Sequence, residues 1–253
     1  MAVPADVRTF LDELPKDALV LDVGGWASSD PRADWVIDIG TWETRGYYAG
    51  QLGAENTTDS QRVTRETWVV RDISDPEPWP FDAKMFDYVI CSHTLEDIRD
   101  PVRVCREIAR VGKAGYIETP GGAIEVTRGV ESPLWCGWHH HRWLVSKQGN
   151  GLAFLFKPHH VHSPFWPAVP SPRLLRPEAA AHLSFRWTDA FSAAEDVRVD
   201  FGELDGHLRG LARAAERRPS PRTTARHVEE VTWATYRRFR SAAGVTARRV
   251  AKR

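Results

Sequence analysis

Short apolar runs alternating with amphipathic stretches organise the first half of the chain. Residues 4–14 place Val7, Phe10, Leu11 and Leu14 at i, i+3, i+4 and i+7, the stripe of a short amphipathic helix. Ala18 to Val23 is a compact apolar run closed by Gly24-Gly25, which predicts a buried strand with a tight exit turn. Trp35 to Ile39 reads as a second strand, reached through Ser28-Ser29-Asp30-Pro31, a loop with little capacity for a full helix. Thr67 to Val70 and Phe86 to Cys91 read as a third and a fourth strand. The continuous apolar character of the fourth predicts burial on both faces, as in a parallel sheet.

A helix start follows. Asp100 can cap, Pro101 fits the first turn, and Val104, Cys105, Ile108 and Val111 form the apolar stripe. Gly115 to Thr119 is a fifth strand, ended by Pro120-Gly121-Gly122. Strands and helices alternating over short connections predict an α/β fold with a doubly wound parallel sheet.

Residues 41–66 break the pattern. They are polar and contain Trp42, Tyr47 and Tyr48, which reads as an irregular insertion or lid. Beyond residue 123 the chain is rich in Trp, His and Pro around one strand-like run, Gly151 to Phe156. Residues 203–217 and 224–240 read as helices separated by Pro219-Ser220-Pro221. The expected organisation is a catalytic domain over 1–202, with the 41–66 insertion and a substrate region at 123–170. A basic helical extension over 203–253 follows.

Composition alters this picture in two places. The formal net charge is zero, yet residues 203–253 carry 13 Lys and Arg against 5 Asp and Glu, leaving the other 202 residues acidic at 21 against 29. The aromatic residues around the histidines, Trp135, Trp138, Trp143, Phe165 and Trp166, lie outside that basic tail, so no nucleic-acid groove is expected there. No run approaches the ~18 apolar residues of a spanning helix, and the amino terminus lacks a basic region followed by an apolar one. The three scattered cysteines, Cys91, Cys105 and Cys136, suit a reducing compartment. The expectation is a soluble, cytoplasmic protein, with a homodimer compatible with the sequence.

The strand ends carry the candidate chemistry. In chain order they read Asp22-Val23-Gly24-Gly25, Asp38-Ile39, Asp72-Ile73, Ser92-His93 and Glu118-Thr119. Ligands of open parallel sheets bind outside the carboxyl ends of the strands. Carboxylates on four of the five suit a ligand with a ribose, an ammonium or a cationic centre.

Over residues 15–125 this set resembles the class I S-adenosylmethionine-dependent methyltransferases. The segments that carry the resemblance are Leu21-Asp22-Val23-Gly24-Gly25, Arg71-Asp72-Ile73, the run from Phe86 to Glu96, and Arg106 to Val111 ahead of Gly115 to Pro120. The resemblance implies a Rossmann-like sheet and S-adenosyl-L-methionine as cofactor, held by Asp22, Gly24, Gly25, Asp38, Ile39, Asp72, Ile73, Ser92 and His93. Within that set Asp38 would take the ribose hydroxyls and Asp72 the adenine amino group. Trp26 and Ser28 stand where the family often has later glycines. Only 15 residues separate Asp22 from Asp38, so the usual first helix is expected to be shortened or missing.

Seven of the ten histidines cluster as His93, His139, His140, His141, His159, His160 and His162. Methyl transfer to an alcohol needs a proton acceptor, and a neutral imidazole serves. One of His139, His140 or His141 is expected to be that base, with Glu118 acting likewise or orienting it. Two other readings stay open. In one the histidines hold a divalent metal such as Mg2+ with Glu118 or a strand-end Asp, and in the other they are surface and packing residues. As strands, His139 with His141 and His160 with His162 would share faces. Trp135, Trp138, Trp143, Phe165 and Trp166 surround them. With Tyr47 and Tyr48, Trp138 and Trp143 are the expected platforms for a hydroxylated acceptor.

The acceptor would enter beneath 41–66 and the 133–166 region. Size, Arg-rich tail and His-Trp loop are similar to small actinobacterial sugar O-methyltransferases, including mycobacterial enzymes acting on mannose polysaccharides. That likeness implies a small-molecule or oligosaccharide acceptor. Two rival expectations are a metal-dependent hydrolase built on the histidines and a non-catalytic cofactor-binding relative.

Overall fold

Nine strands and four α-helices make up residues 4–46 and 62–217, the part of the chain that the computed structural model describes. They fall into two compact units. The first comprises residues 1–121, 140–157 and 182–198, and the second 122–139, 158–181 and 199–253.

The first unit is built on a six-stranded sheet. Its parallel strands are β1 (Val20–Val23), β2 (Trp35–Asp38), β3 (Trp68–Val70), β4 (Tyr88–Ser92) and β5 (Ala114–Thr119). The order across the sheet is β3-β2-β1-β4-β5-β8, where β8 (Leu183–Thr188) runs antiparallel to β5. Strand order reverses between β1 and β4, the switch point at which open α/β sheets bind ligands.

Alternation along the strands explains why both faces are covered. Val20, Tyr88, Ile90 and Tyr116 point one way, into a cluster with Val7 and Leu11 of helix α1 (Ala5–Glu13). Their neighbours Leu21, Val89, Cys91 and Ile117 point the other way, onto Val104, Cys105, Ile108 and Val111 of helix α2 (Pro101–Val111). The sheet is thus doubly wound, as the apolar runs predict. Asp100 caps α2 by accepting the N–H of Arg103 at 2.9 Å, with Pro101 in the first turn.

The connection from β1 to β2 holds no helix, in line with the short spacing of Asp22 and Asp38. Of the 41–66 insertion, the described part includes one 3-10 turn, Trp42–Thr44. The same unit carries a second sheet of β6 (Trp143–Lys147), β7 (Gly151–Phe156) and β9 (Ser192–Glu195). Trp143, Val145, Leu152 and Phe154 from it join the α2 side of the core.

The second unit contains α3 (Gly122–Glu125) and α4 (Phe201–Ala215). Asp200 caps α4 through the N–H of Glu203 at 2.8 Å. The expected helix over 224–240 lies outside the described residues. Two expectations are corrected here. Residues 137–142 form no strand, because β6 begins only at Trp143, so His139 and His141 share no strand face. His160 and His162 lie in a 3-10 turn, His159–His162, behind Pro158.

Candidate active site

The turn after β1 is built on a glycine. Gly24 has φ +80°, and a Cβ there would stand 2.1 Å from Thr94 Oγ1. Thr94 belongs to the turn after β4, and its hydroxyl lies 3.4 Å from the carbonyl oxygen of Val23 and 3.2 Å from that of Ser92. The turns after β1 and β4 therefore touch: Thr94 fills the space beside Gly24, and that packing together with the left-handed backbone requires glycine there.

Asp22 lies beneath this turn, buried, with Oδ2 accepting the N–H of Asp30 at 2.7 Å. Burial pushes its carboxyl up to about 7, against that hydrogen bond and assisted by the charges of Asp30 and Asp38. Asp38, at the end of β2, accepts the N–H of Trp26 (3.0 Å) and of Gly40 (2.7 Å). Burial raises its pKa, opposed by the N–H groups of Gly40, Trp26 and Ile39. Both acids brace the loops of the rim, and Asp38 is only 8% exposed. The next residue, Ile39, is 72% exposed.

Asp72 follows β3 on the same carboxyl rim, because β2 and β3 are parallel neighbours with Asp38 opposite Val70. Its Oδ1 takes the N–H of Ser74 at 2.9 Å, and Oδ2 pairs with Arg99 at 3.1 Å. Ile73 is turned into the core. Arg99 and Ser74 also line a cleft of about 640 Å3 beside the start of α2, with Arg103, Trp143 and Glu195. This cleft borders Asp72 and does not include the histidine-bearing ends of β4 and β5.

Those ends hold the densest group of titratable side chains in the unit. His93 has φ +52°, a left-handed conformation unusual for a residue with a Cβ. Its backbone N–H donates to the Glu118 carbonyl at 2.8 Å. The imidazole Nε2 lies 3.1 Å from Glu118 Oε1, and Nδ1 lies 3.5 Å from Glu96 Oε1. Burial opposes the charged ring, but the hydrogen bonds and charges of Glu118 and Glu96 outweigh it and hold the pKa at about 9.

His182 meets the same Glu118 oxygen at 3.5 Å, its ring edge-on to His93 with centroids 4.8 Å apart. Tyr116 Oη donates to Glu118 Oε2 and lies 3.0 Å from Ser184 Oγ. Burial would raise Glu118, yet hydrogen bonds from His182, His93 and Tyr116 keep it well below the ordinary carboxylate range. Glu96 is buried, with the His93 ring as its ion-pair partner.

The remaining expected residues are dispersed. His141 is buried and His140 exposed, with Nε2 atoms 3.7 and 3.8 Å from Asp97 Oδ1. His139 belongs to the second unit, where its Nδ1 lies 2.8 Å from Glu131 Oε2. Trp138 is half-buried in that unit. Trp143 is a core residue, its indole N–H donating to the Ile98 carbonyl at 2.8 Å. Tyr47 and Tyr48 lie outside the described residues. Sequence reasoning gave no role to Thr94, Glu96, Tyr116 or His182. Only Glu96 had a signal, standing three residues after His93 in the segment that resembles the family.

An adenosyl ligand fits what the rim offers: Ile39 is exposed just past β2, and the Asp72 carboxylate is accessible just past β3. Solved structures similar to the chain include the YcgJ protein of Bacillus subtilis, at 20% identity over 46% of this chain and 50% of that one, TM-score 0.31. An arsenic(III) S-adenosylmethionine methyltransferase of Chlamydomonas reinhardtii matches at 18% identity over 47% and 50%, TM-score 0.31. A SAM-dependent methyltransferase of Aquifex aeolicus matches at 19% over 46% and 65%, TM-score 0.30. The chain spans half the length of the first of these. No curated protein matches it. Residues 49–117 match the family model described as "Methyltransferase domain", a span that contains β3, β4, α2 and the first part of β5. Residues 49–117 are thus similar to a methyltransferase domain, and the sheet order above is that of a Rossmann-like α/β fold.

Proposed function

We propose that the chain transfers a methyl group from S-adenosylmethionine to a hydroxyl of a small acceptor of the sugar or glycoside class. The observation that carries this reading is the contact of two turns at the switch point. The Gly24 turn packs on Thr94, the residue that follows His93. That contact supports a donor site beside a polar, charged site on one sheet rim.

When bound, S-adenosylmethionine supplies an electrophilic methyl on a sulfonium, so the protein has chiefly to align donor and acceptor. Ile39 would pack on its base and Asp72 would meet its amino group, beside the Gly24-Gly25 turn. Asp38 reaches the ribose only from a position already braced by Trp26 and Gly40. The His93–Glu118 pair orients the acceptor hydroxyl at the ends of β4 and β5. The hydroxyl proton passes to His140, which is exposed, while Asp97 and the buried His141 hold its ring.

The test is calorimetry with S-adenosylhomocysteine followed by a labelled-methyl screen over glycosides. Micromolar binding, lost in Gly24→Val, and label in a glycoside are expected. Absence of binding by the folded protein removes the reading.

A further inference from the structure

We infer that His93, Glu118 and His182 form a three-ligand site for a divalent cation of the zinc class, with Glu96 and Tyr116 orienting two of the ligands. The inference does not depend on the acceptor or on methyl transfer.

Distances make the first argument. Glu118 Oε1 lies 3.1 Å from His93 Nε2 and 3.5 Å from His182 Nδ1, and all three donor atoms lie within 4.8 Å of one another. Ligands about 2.0–2.1 Å from a tetrahedral ion stand about 3.3–3.4 Å apart. The two edges to Glu118 bracket that value.

Ligand chemistry makes the second. Two imidazole nitrogens and one carboxylate oxygen, with a fourth position open, are the donor set of catalytic zinc sites. Mg2+ prefers an all-oxygen shell and retains its waters, so the nitrogen-rich set disfavours it. His182 is partly exposed, which leaves an entry path.

The surroundings make the third. A metal-bound imidazole usually gives its other N–H to a carboxylate, and a metal-bound carboxylate is itself hydrogen-bonded. Here Glu96 faces the second nitrogen of His93, and Tyr116 holds the second oxygen of Glu118. Glu96 is 1% exposed and has the His93 ring as its partner, with Nδ1 3.5 Å from Oε1. A dication on the far side of that ring would polarise Nδ1–H toward Glu96.

Protein stripped with chelator and titrated with Zn2+ should bind one ion per chain at this site. Co2+ in its place should give the strong visible absorption of a tetrahedral N/O complex. His182→Ala, at a partly exposed position outside the core, should weaken binding at least about 100-fold with its thermal melt retained. Glu96→Gln should weaken it about 10- to 100-fold. Glu118→Gln serves as a second ligand variant. Three outcomes overturn the inference: no stoichiometric ion, affinity unchanged in both His182→Ala and Glu118→Gln, or loss of binding only when His140 and His141 are replaced. Calorimetry with S-adenosylhomocysteine on the same samples separates the two proposals. Nucleoside binding without metal sinks this one alone, and metal without nucleoside binding sinks only the methyltransferase reading.

Discussion

The carboxylate of Asp38 accepts the backbone N–H of Trp26 at 3.0 Å, tying the turn after β1 to the end of β2. Its second oxygen takes Gly40 N–H, and a Cβ on Gly40 would meet the Trp26 indole at 2.2 Å. One acid thus serves the scaffold of the cofactor rim as well as any contact with the ribose. Asp38→Ala leaves two N–H groups without their acceptor and should cost about 1–3 kcal/mol in unfolding by urea. Loss of S-adenosylhomocysteine affinity should accompany that drop. An unchanged unfolding midpoint in the variant would show that the bracing role is wrong.

Gly24→Ala tests the contact between the two turns. The variant places a Cβ on a left-handed residue and against Thr94 Oγ1. The conformation alone costs about 1–2 kcal/mol, and the clash adds to it. Combining the change with Thr94→Ala removes the two closest contacts, at 2.1 and 2.6 Å, but leaves the Cβ contact at 2.9 Å and the conformational cost. The double variant should therefore recover part of the melting temperature that the single one loses. Equal melting temperatures in the two would exclude a tight contact here.

Asp22 should make stability depend on pH. Its folded pKa is raised to about 7 from an ordinary value of 3.8, chiefly by burial. Between those values the native state binds more protons than the unfolded chain. Stability from this group therefore falls as pH rises from 4, and the loss is complete above 7. Asn at this position can still accept the N–H of Asp30 and carries no charge. The advantage of Asp22→Asn over the parent should grow across that range, by at most about 4 kcal/mol. Denaturation curves at pH 4.5, 6 and 8 check it, and a constant difference between the two proteins would refute it.

Much of the first unit was legible because its signals are local. The run from Phe86 to Cys91 could be buried only within a sheet, and Asp100-Pro101 marks a helix start whatever lies around it. Strand β8 was missed although Phe185 and Trp187 alternate with exposed Ser184 and Arg186, a period of two short enough to pass as loop. Strand β9, Ser-Ala-Ala-Glu, has no apolar pattern, and its pairing with β7 defines it.

The site was read least well where sequence distance is large. Register sets Glu118 opposite Ser184 on β8, which brings His182 to a carboxylate 64 residues away. The triplet of histidines drew attention by adjacency. Once folded, it divides between the two units, with His139 in one and His140 and His141 in the other.

That division makes the final prediction specific. General-base catalysis contributes about 100- to 10,000-fold. His140→Ala should lower labelled-methyl transfer by an amount in that range while S-adenosylhomocysteine binds as before. Added imidazole should restore part of the rate, since a small base can enter the space left at an exposed position. His141→Ala, which removes a buried ring beside Asp97, should lower the rate without rescue, because added imidazole does not restore orientation. His139→Ala should leave the rate within about threefold, well below the general-base range, because that ring is held by Glu131. A largest loss at His139, or rescue at His141 in place of His140, would move the base away from Asp97 and with it the point at which the acceptor hydroxyl gives up its proton.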